Sequence, residues 1–257
     1  MKNKISSCPE LMEAIQQIGL VPLLDSGIPG FSADEMVAPE CRYKLLDDGS
    51  WDWPLWQWKG PIVTEGHFAY GKFFGGKAGF VSMDWWPDLC NYRRAKYPEP
   101  AADSIEGTIL EILRVNGSMI TRDLRSACGF DGPKMRSRFD AYVTRLQMAC
   151  RVVTEDFVYP TDRHGNRYGW GWALLTTPER LFGHEACTCP PARKELSEDN
   201  IFCCPPARGG LSEGLRGGSL SPSDSLHRLL AHLRHIIASN DLFISKSIQK
   251  QILKLIS

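Results

Sequence analysis

Lys134, Arg136, Arg138 and Arg145 fall on the side of one helical stretch that faces away from its apolar residues, Met135, Phe139, Tyr142, Val143 and Leu146. Asp140 is the only acid on that side. Cations grouped this way meet phosphates, and arginine also reaches guanine edges through paired hydrogen bonds. A second basic group, Arg163, His164 and Arg167, sits in the polar stretch from Tyr159 to Tyr168. At a hairpin tip it would touch a nucleic-acid backbone or minor groove. Double-stranded DNA is the expected partner. A solvated helix face and an ordinary hairpin tip are the plain alternative.

Trp51, Trp53, Trp56 and Trp58 crowd four indoles into eight residues. Such rings can stack on bases or line a pocket for an extruded nucleotide. Clustered indoles more often lock a small core together, and that is the expectation here. The alternation puts them on two faces of an extended segment. Lys59, Glu65 and His67 could be a charged pair lining a cleft, but read better as exposed strand residues. Asp52, Glu65 and Asp84 are the only carboxylates near the rings that could position water or balance a cationic sugar. Their spacing singles out none of them.

The elements that must carry these residues follow from periodicity and punctuation. Ile105, Ile109, Ile112 and Leu113 mark a helix capped by Ser104 or Asp103 and closed by Asn116-Gly117. A short strand at 118–120, a helix from Arg122 to Cys128 capped by Thr121, a turn at Asp131-Gly132-Pro133 and a helix from about Lys134 to Cys150 come next. Arg151–Thr154 and Trp170–Leu175 read as paired strands. Helix, strand, helix, helix, strand, strand is the order of a winged helix, whose third helix enters the major groove.

Upstream, residues 9–19 form a helix with Leu11, Ile15 and Ile18 inside. Gly75-Gly76 turns a hairpin over 67–82. Ser82 caps a helix from Met83 to Lys96 that ends in Arg93, Arg94 and Lys96. Downstream, Leu226, Leu229, Leu230, Leu233, Ile236 and Ile237 make one stripe, and Ile244, Ile248, Ile252 and Leu255 another. His227, His232 and His235 are expected on or beside the solvated side. The fold class is therefore α+β. An aromatic-rich α+β unit with a β-hairpin (1–97) and a linker (98–103) precede a winged helix-turn-helix domain (104–183). A low-complexity, disordered insertion (184–222) and a C-terminal helical hairpin (223–257) follow. Within the insertion, Cys189-Pro190-Pro191-Ala192-Arg193 recurs as Cys204-Pro205-Pro206-Ala207-Arg208.

A formal net charge of +0 over 257 residues gives no global field, so DNA affinity must come from a local patch. No apolar run approaches membrane-spanning length, so no membrane partner is expected. Nine cysteines, mostly scattered singly, fit reduced thiols in a cytoplasm better than a disulfide framework. Cys187, Cys189, Cys203 and Cys204 with His184 match no zinc-knuckle spacing. Gly71-Lys72-Phe73-Phe74-Gly75-Gly76-Lys77 lacks the hydroxyl residue of a phosphate-binding loop. No metal and no cofactor are expected.

The sequence Trp51-Asp52-Trp53-Pro54-Leu55-Trp56-Gln57-Trp58-Lys59-Gly60-Pro61, then Tyr70–Phe74 and Phe80–Pro87, then the winged-helix pattern, resembles the AlkZ-related proteins. These are small relatives of the AlkZ/YcaQ winged-helix DNA glycosylases. The resemblance covers about residues 10–183 and, more loosely, the C-terminal hairpin. It implies a winged-helix fold and a DNA-repair setting. Within residues 10–183, which carry the resemblance, the glycosylases' Gln-x-Gln or Gln-x-Asp motif is not found: Gln16-Gln17 and Gln57-Trp58-Lys59 do not match it. The leading reading is a non-catalytic winged-helix DNA-binding protein. A glycosylase-like enzyme and a protein-docking module are the alternatives.

Overall fold

The computed structural model describes residues 4–132, 134–165, 169–188, 220–239 and 245–256. Pro133, the tip residue Arg167, the duplicated segment within 189–219 and the turn at 240–244 lie outside the described residues. What is described is a mixed arrangement of helices and small antiparallel sheets.

Helix α1 (Cys8–Ile18) buries Leu11, Ile15 and Ile18 at the expected spacing. Gly19 ends it at φ 83°, and a Cβ there would come within 2.3 Å of the Trp85 ring. Strand β1 (Leu20–Pro22) follows, and Ser32 caps α2 (Ala33–Met36) by accepting the Glu35 N–H. β2 (Lys44–Leu45) and β3 (Trp51–Asp52) form a small ladder.

The next element corrects the reading of the tryptophan run. Only Trp51-Asp52 is extended; Pro54 opens helix α3 (Pro54–Gly66). Proline suits the first turn, where its missing N–H has no helical partner to lose. Leu55, Lys59, Ile62 and Val63 share the buried face. Lys59 is thus a buried helical residue rather than an exposed strand residue. Glu65 and His67 are exposed, His67 as the left-handed residue after the helix at φ 54°.

The hairpin of β4 (Ala69–Phe74) and β5 (Lys77–Val81) turns at Gly75 and Gly76, with φ 59° and 82°. Positive φ at both positions is what a primed turn needs. The sheet runs β1-β5-β4.

Helix α4 (Trp86–Lys96) begins later than Met83. Ser82 contributes its carbonyl to the Trp85 and Trp86 N–H groups, while its hydroxyl is buried without a partner. Of the helix's terminal cations Lys96 is exposed, whereas Arg93 and Arg94 turn inward. Arg93 is fully buried and donates to the carbonyls of Met148 (2.8 Å), Phe73 (2.8 Å) and Leu255 (3.3 Å). Arg94 donates to the Cys150 carbonyl and pairs with Glu179 at 2.6 Å.

Helix α5 (Ile105–Asn116), capped by the Ser104 hydroxyl, leads into β6 (Met119–Ile120), α6 (Thr121–Ala127), α7 (Arg136–Met148), β7 (Val153–Val158) and β8 (Trp172–Thr176). The three strands pair antiparallel in the order β6-β8-β7. Thr121 lies inside α6 and donates its hydroxyl to the Ala173 carbonyl, rather than capping the helix. Met135 precedes α7 and is exposed, unlike Phe139, Val143 and Leu146. Those three join Ile109, Leu110, Leu113 and Leu124 in the smaller of two cores.

Helix α8 (Pro178–Phe182) and a 3-10 turn (Glu185–Cys187) follow. Helix α9 (Pro222–Ser239) then packs on α4, and α10 (Lys246–Ile256) packs on α9 and β4. Leu229, Leu233, Ile237 and Ile252 enter the larger core with Leu11, Phe73 and Trp86. His232 is not solvated: it stacks on Trp85 at 4.0 Å and bonds the Ile18 carbonyl at 2.7 Å. Among the described residues, no helix is long and apolar enough to cross a membrane.

Candidate functional site

Two groups of residues carry the chemistry expected from the sequence, one at the start of α7 and one around the tryptophans. The first group is the start of α7. Lys134, Arg136 and Arg138 are exposed there, beside the helix N-terminus. Unsatisfied N–H groups and the helix dipole favour anions at that end. Arg136 is loosely engaged by Asp140 at 3.9 Å. Among the described residues, Lys134 and Arg138 have no ion-pair partner.

Arg145 stands differently. It sits two turns along α7, but its guanidinium is held by Glu106 of α5 at 2.5 Å and lies over the Tyr142 ring at 4.5 Å. The sequence showed Asp140 as the only acid on that face; Glu106 arrives from another helix. Arg163 and His164 are exposed between β7 and β8 and bond each other at 2.9 Å. Arg167 is outside the described residues.

The second group is the aromatic cluster. Trp53 is buried, while Trp51, Trp56 and Trp58 are half-buried. A fourth cluster member comes from far along the chain. Trp170, in the loop before β8, stacks on Trp51 at 4.5 Å and meets Trp53 and Trp56 edge-on at 6.1 and 5.4 Å. Trp53 and Trp56 stack at 4.9 Å. Trp58, like Trp51 and Trp56, packs against the larger core.

A cleft of about 610 Å³ opens on this cluster, with Trp51, Trp56, Gln57, Tyr159 and Gly169 in its wall. No carboxylate lines it among the described residues. The three carboxylate candidates are dispersed. Asp52 is half-buried in β3, Glu65 is exposed near the end of α3, and exposed Asp84 accepts a hydrogen bond from Gln16.

The cluster encloses a residue that sequence reasoning placed at the surface. Lys59 Nζ lies 3.2 Å from the centre of the Trp56 ring and 4.0 Å from that of Phe157. It donates to the Trp170 carbonyl at 3.4 Å, which also accepts the Trp56 indole N–H at 3.3 Å. Burial pushes its pKa down to about 7. The helical spacing Leu55, Lys59, Ile62 could have placed it inside. Phe157 and Trp170, remote in sequence, gave no signal.

No group of His, Cys, Asp and Glu among the described residues is arranged to hold a metal ion. His184 is exposed and Cys187 buried, whereas Cys189, Cys203 and Cys204 lie outside the described residues.

A family model described as AlkZ related matches residues 5–205. The match covers more than half of the 257 residues, so the chain belongs to the AlkZ-related family. No curated protein and no solved structure matches it.

Proposed function

We propose that this member of the AlkZ-related family is a winged-helix DNA-binding protein that does not itself release bases. The reading treats α5, α6 and α7 as the three helices, β6-β8-β7 as the winged sheet and the β7–β8 loop as the wing. One observation carries it: Lys134, Arg136 and Arg138 stand exposed at the N-terminal end of α7, the helix that would enter the groove. Family membership supports a DNA-repair setting. The non-catalytic part rests on residues 10–183, the stretch that resembles the glycosylases, where their Gln-x-Gln or Gln-x-Asp motif is not found.

The test is duplex binding by fluorescence anisotropy across a salt series, with Lys134→Ala/Arg138→Ala beside wild type. Each lost phosphate contact should lower the salt slope by about one unit. Both side chains are exposed, so circular dichroism should be unchanged. Unchanged affinity and slope in the folded double variant would refute groove binding by α7. Release of a damaged base from duplex DNA by wild type would refute the non-catalytic part.

A further inference from the structure

Lys59 is the least expected residue in the molecule. It is 1% exposed, carries a side chain that is normally charged, and has no ion-pair partner among the described residues. Its amine is boxed by Trp56, Phe157 and the Trp170 carbonyl. Burying a cation without a carboxylate is costly, so a purely structural position would favour an apolar residue. A lysine desolvated in an apolar pocket is, however, the usual form of an amine that attacks carbonyls.

From this geometry we infer that Lys59 is an imine-forming nucleophile toward aldehydes, and that its substrate is the ring-opened sugar aldehyde of an abasic site in DNA. The DNA half of this statement rests on the function proposed above. The amine half rests on Lys59 alone.

The cleft supports the assignment. Its wall includes Trp56, the ring that covers the Lys59 amine, and Gly169, the neighbour of Trp170. Trp170 closes the approach. It is 48% exposed yet stacked on Trp51, and it sits between Gly169 and Gly171, both at positive φ (74° and 73°). Glycines on both sides let that peptide rotate at low steric cost. A flat group entering beside Trp51 would take the place of the Trp170 ring. Rotation of the Trp170 peptide would turn away the carbonyl that accepts from the amine.

The chemistry balances without an external oxidant or reductant. The neutral amine's lone pair attacks the aldehyde carbon, a C–N bond forms, and the carbonyl pair moves to oxygen. The ammonium proton passes to that oxygen, giving a carbinolamine. A second proton, from solvent, lets the hydroxyl leave as water while the nitrogen lone pair forms the C=N bond, giving the protonated imine. Burial prepares the first step, because an amine with a pKa near 7 is mostly neutral at pH 8. An ordinary lysine is then less than about 1% neutral.

The experiment is borohydride trapping with two probes, an abasic duplex and free 2-deoxyribose, followed by peptide mapping of the full chain. Duplex binding is measured in parallel. Wild type should give a stable adduct on Lys59 with both probes. Lys59→Arg keeps the cation and a donor but cannot form an imine, and should trap at least tenfold less. Trp170→Ala should trap several-fold faster, because the ring stacked on Trp51 no longer restrains the Trp170 peptide. If the abasic duplex binds but Lys59 stays unmodified, the inference fails and the DNA-binding reading stands. If free sugar modifies Lys59 while duplex does not bind, the amine chemistry stands and the DNA substrate is refuted. Modification of other lysines with Lys59 spared by both probes overturns the inference entirely. Mapping is done on wild type, so it holds even if a variant fails to fold.

Discussion

At the scale of single residues, Lys59 predicts a pH signature. Its folded pKa, about 7, lies below the ordinary 10.5. Between those values the unfolded chain binds the extra proton, so stability rises with pH across that window. Below it the buried cation carries its full desolvation cost, and above it both states are neutral. The slope reaches at most about 1.4 kcal/mol per pH unit, one proton's worth. Lys59→Met removes the titration and fills similar space. Its advantage over wild type should therefore be largest near pH 7 and shrink toward pH 10, read from urea midpoints at each pH. A constant difference across the range would mean that Lys59 stays fully charged. The sequence held half of this: Leu55, Lys59 and Ile62 have helical spacing once Pro54 is taken as a helix start. The other half was not legible. Phe157 and Trp170, which close the box, lie about a hundred residues away, and periodicity carries no information about which distant face arrives.

Elements were legible where punctuation was strong. Gly75-Gly76, the Ser104 cap and the stripe Phe139, Val143, Leu146 gave the β4–β5 hairpin, α5 and α7. They failed where a local preference had two readings. Indoles favour strands, yet Pro54 at the first turn and the Trp53 carbonyl, accepting the N–H groups of Trp56 and Gln57, start a helix instead. Packing of one element on another also resets the charge pattern. Glu106 of α5 takes Arg145 away from the basic face of α7, at 2.5 Å and with partial exposure on both sides. Such a pair contributes little to stability, up to about 1 kcal/mol. On the DNA-binding reading proposed above, it decides which cations can meet phosphate. Glu106→Gln should therefore leave folding almost unchanged, tighten duplex binding and steepen the salt slope by about one unit. Unaltered binding, with thermal unfolding also unaltered, would show that Arg145 points away from the DNA path.

Across the whole molecule, the larger core ignores the order of the chain. Leu11, Phe73 and Trp86 share it with Cys150, Val153, Leu229 and Ile252, on both sides of the Pro-containing stretch at 98–103. Sequence patterning showed that each of these stripes is buried. It could not show that they are buried against one another, because an apolar face specifies its need for a partner and not the partner. Arg93 is where these parts are tied. Its guanidinium, fully buried on α4, reaches the carbonyl of Phe73 in β4, that of Met148 at the end of α7 and that of Leu255 in α10. A planar fork serves the three carbonyls from two separate nitrogens, where Lys would have to bring all three to a single one. Replacing it by methionine preserves much of the volume and leaves these acceptors without their donor. The expected loss is on the order of 3 kcal/mol, the scale of several unmet buried hydrogen bonds. Six of the eight tryptophans precede residue 98, so fluorescence reports mainly on that region, while far-ultraviolet circular dichroism reports on all helices. In wild type the two denaturation curves should coincide, as for one cooperative unit. In Arg93→Met the fluorescence and dichroism midpoints should separate, because the C-terminal helix and α7 lose their shared anchor. Coincident curves with a loss below about 1 kcal/mol would show that apolar burial alone couples the parts.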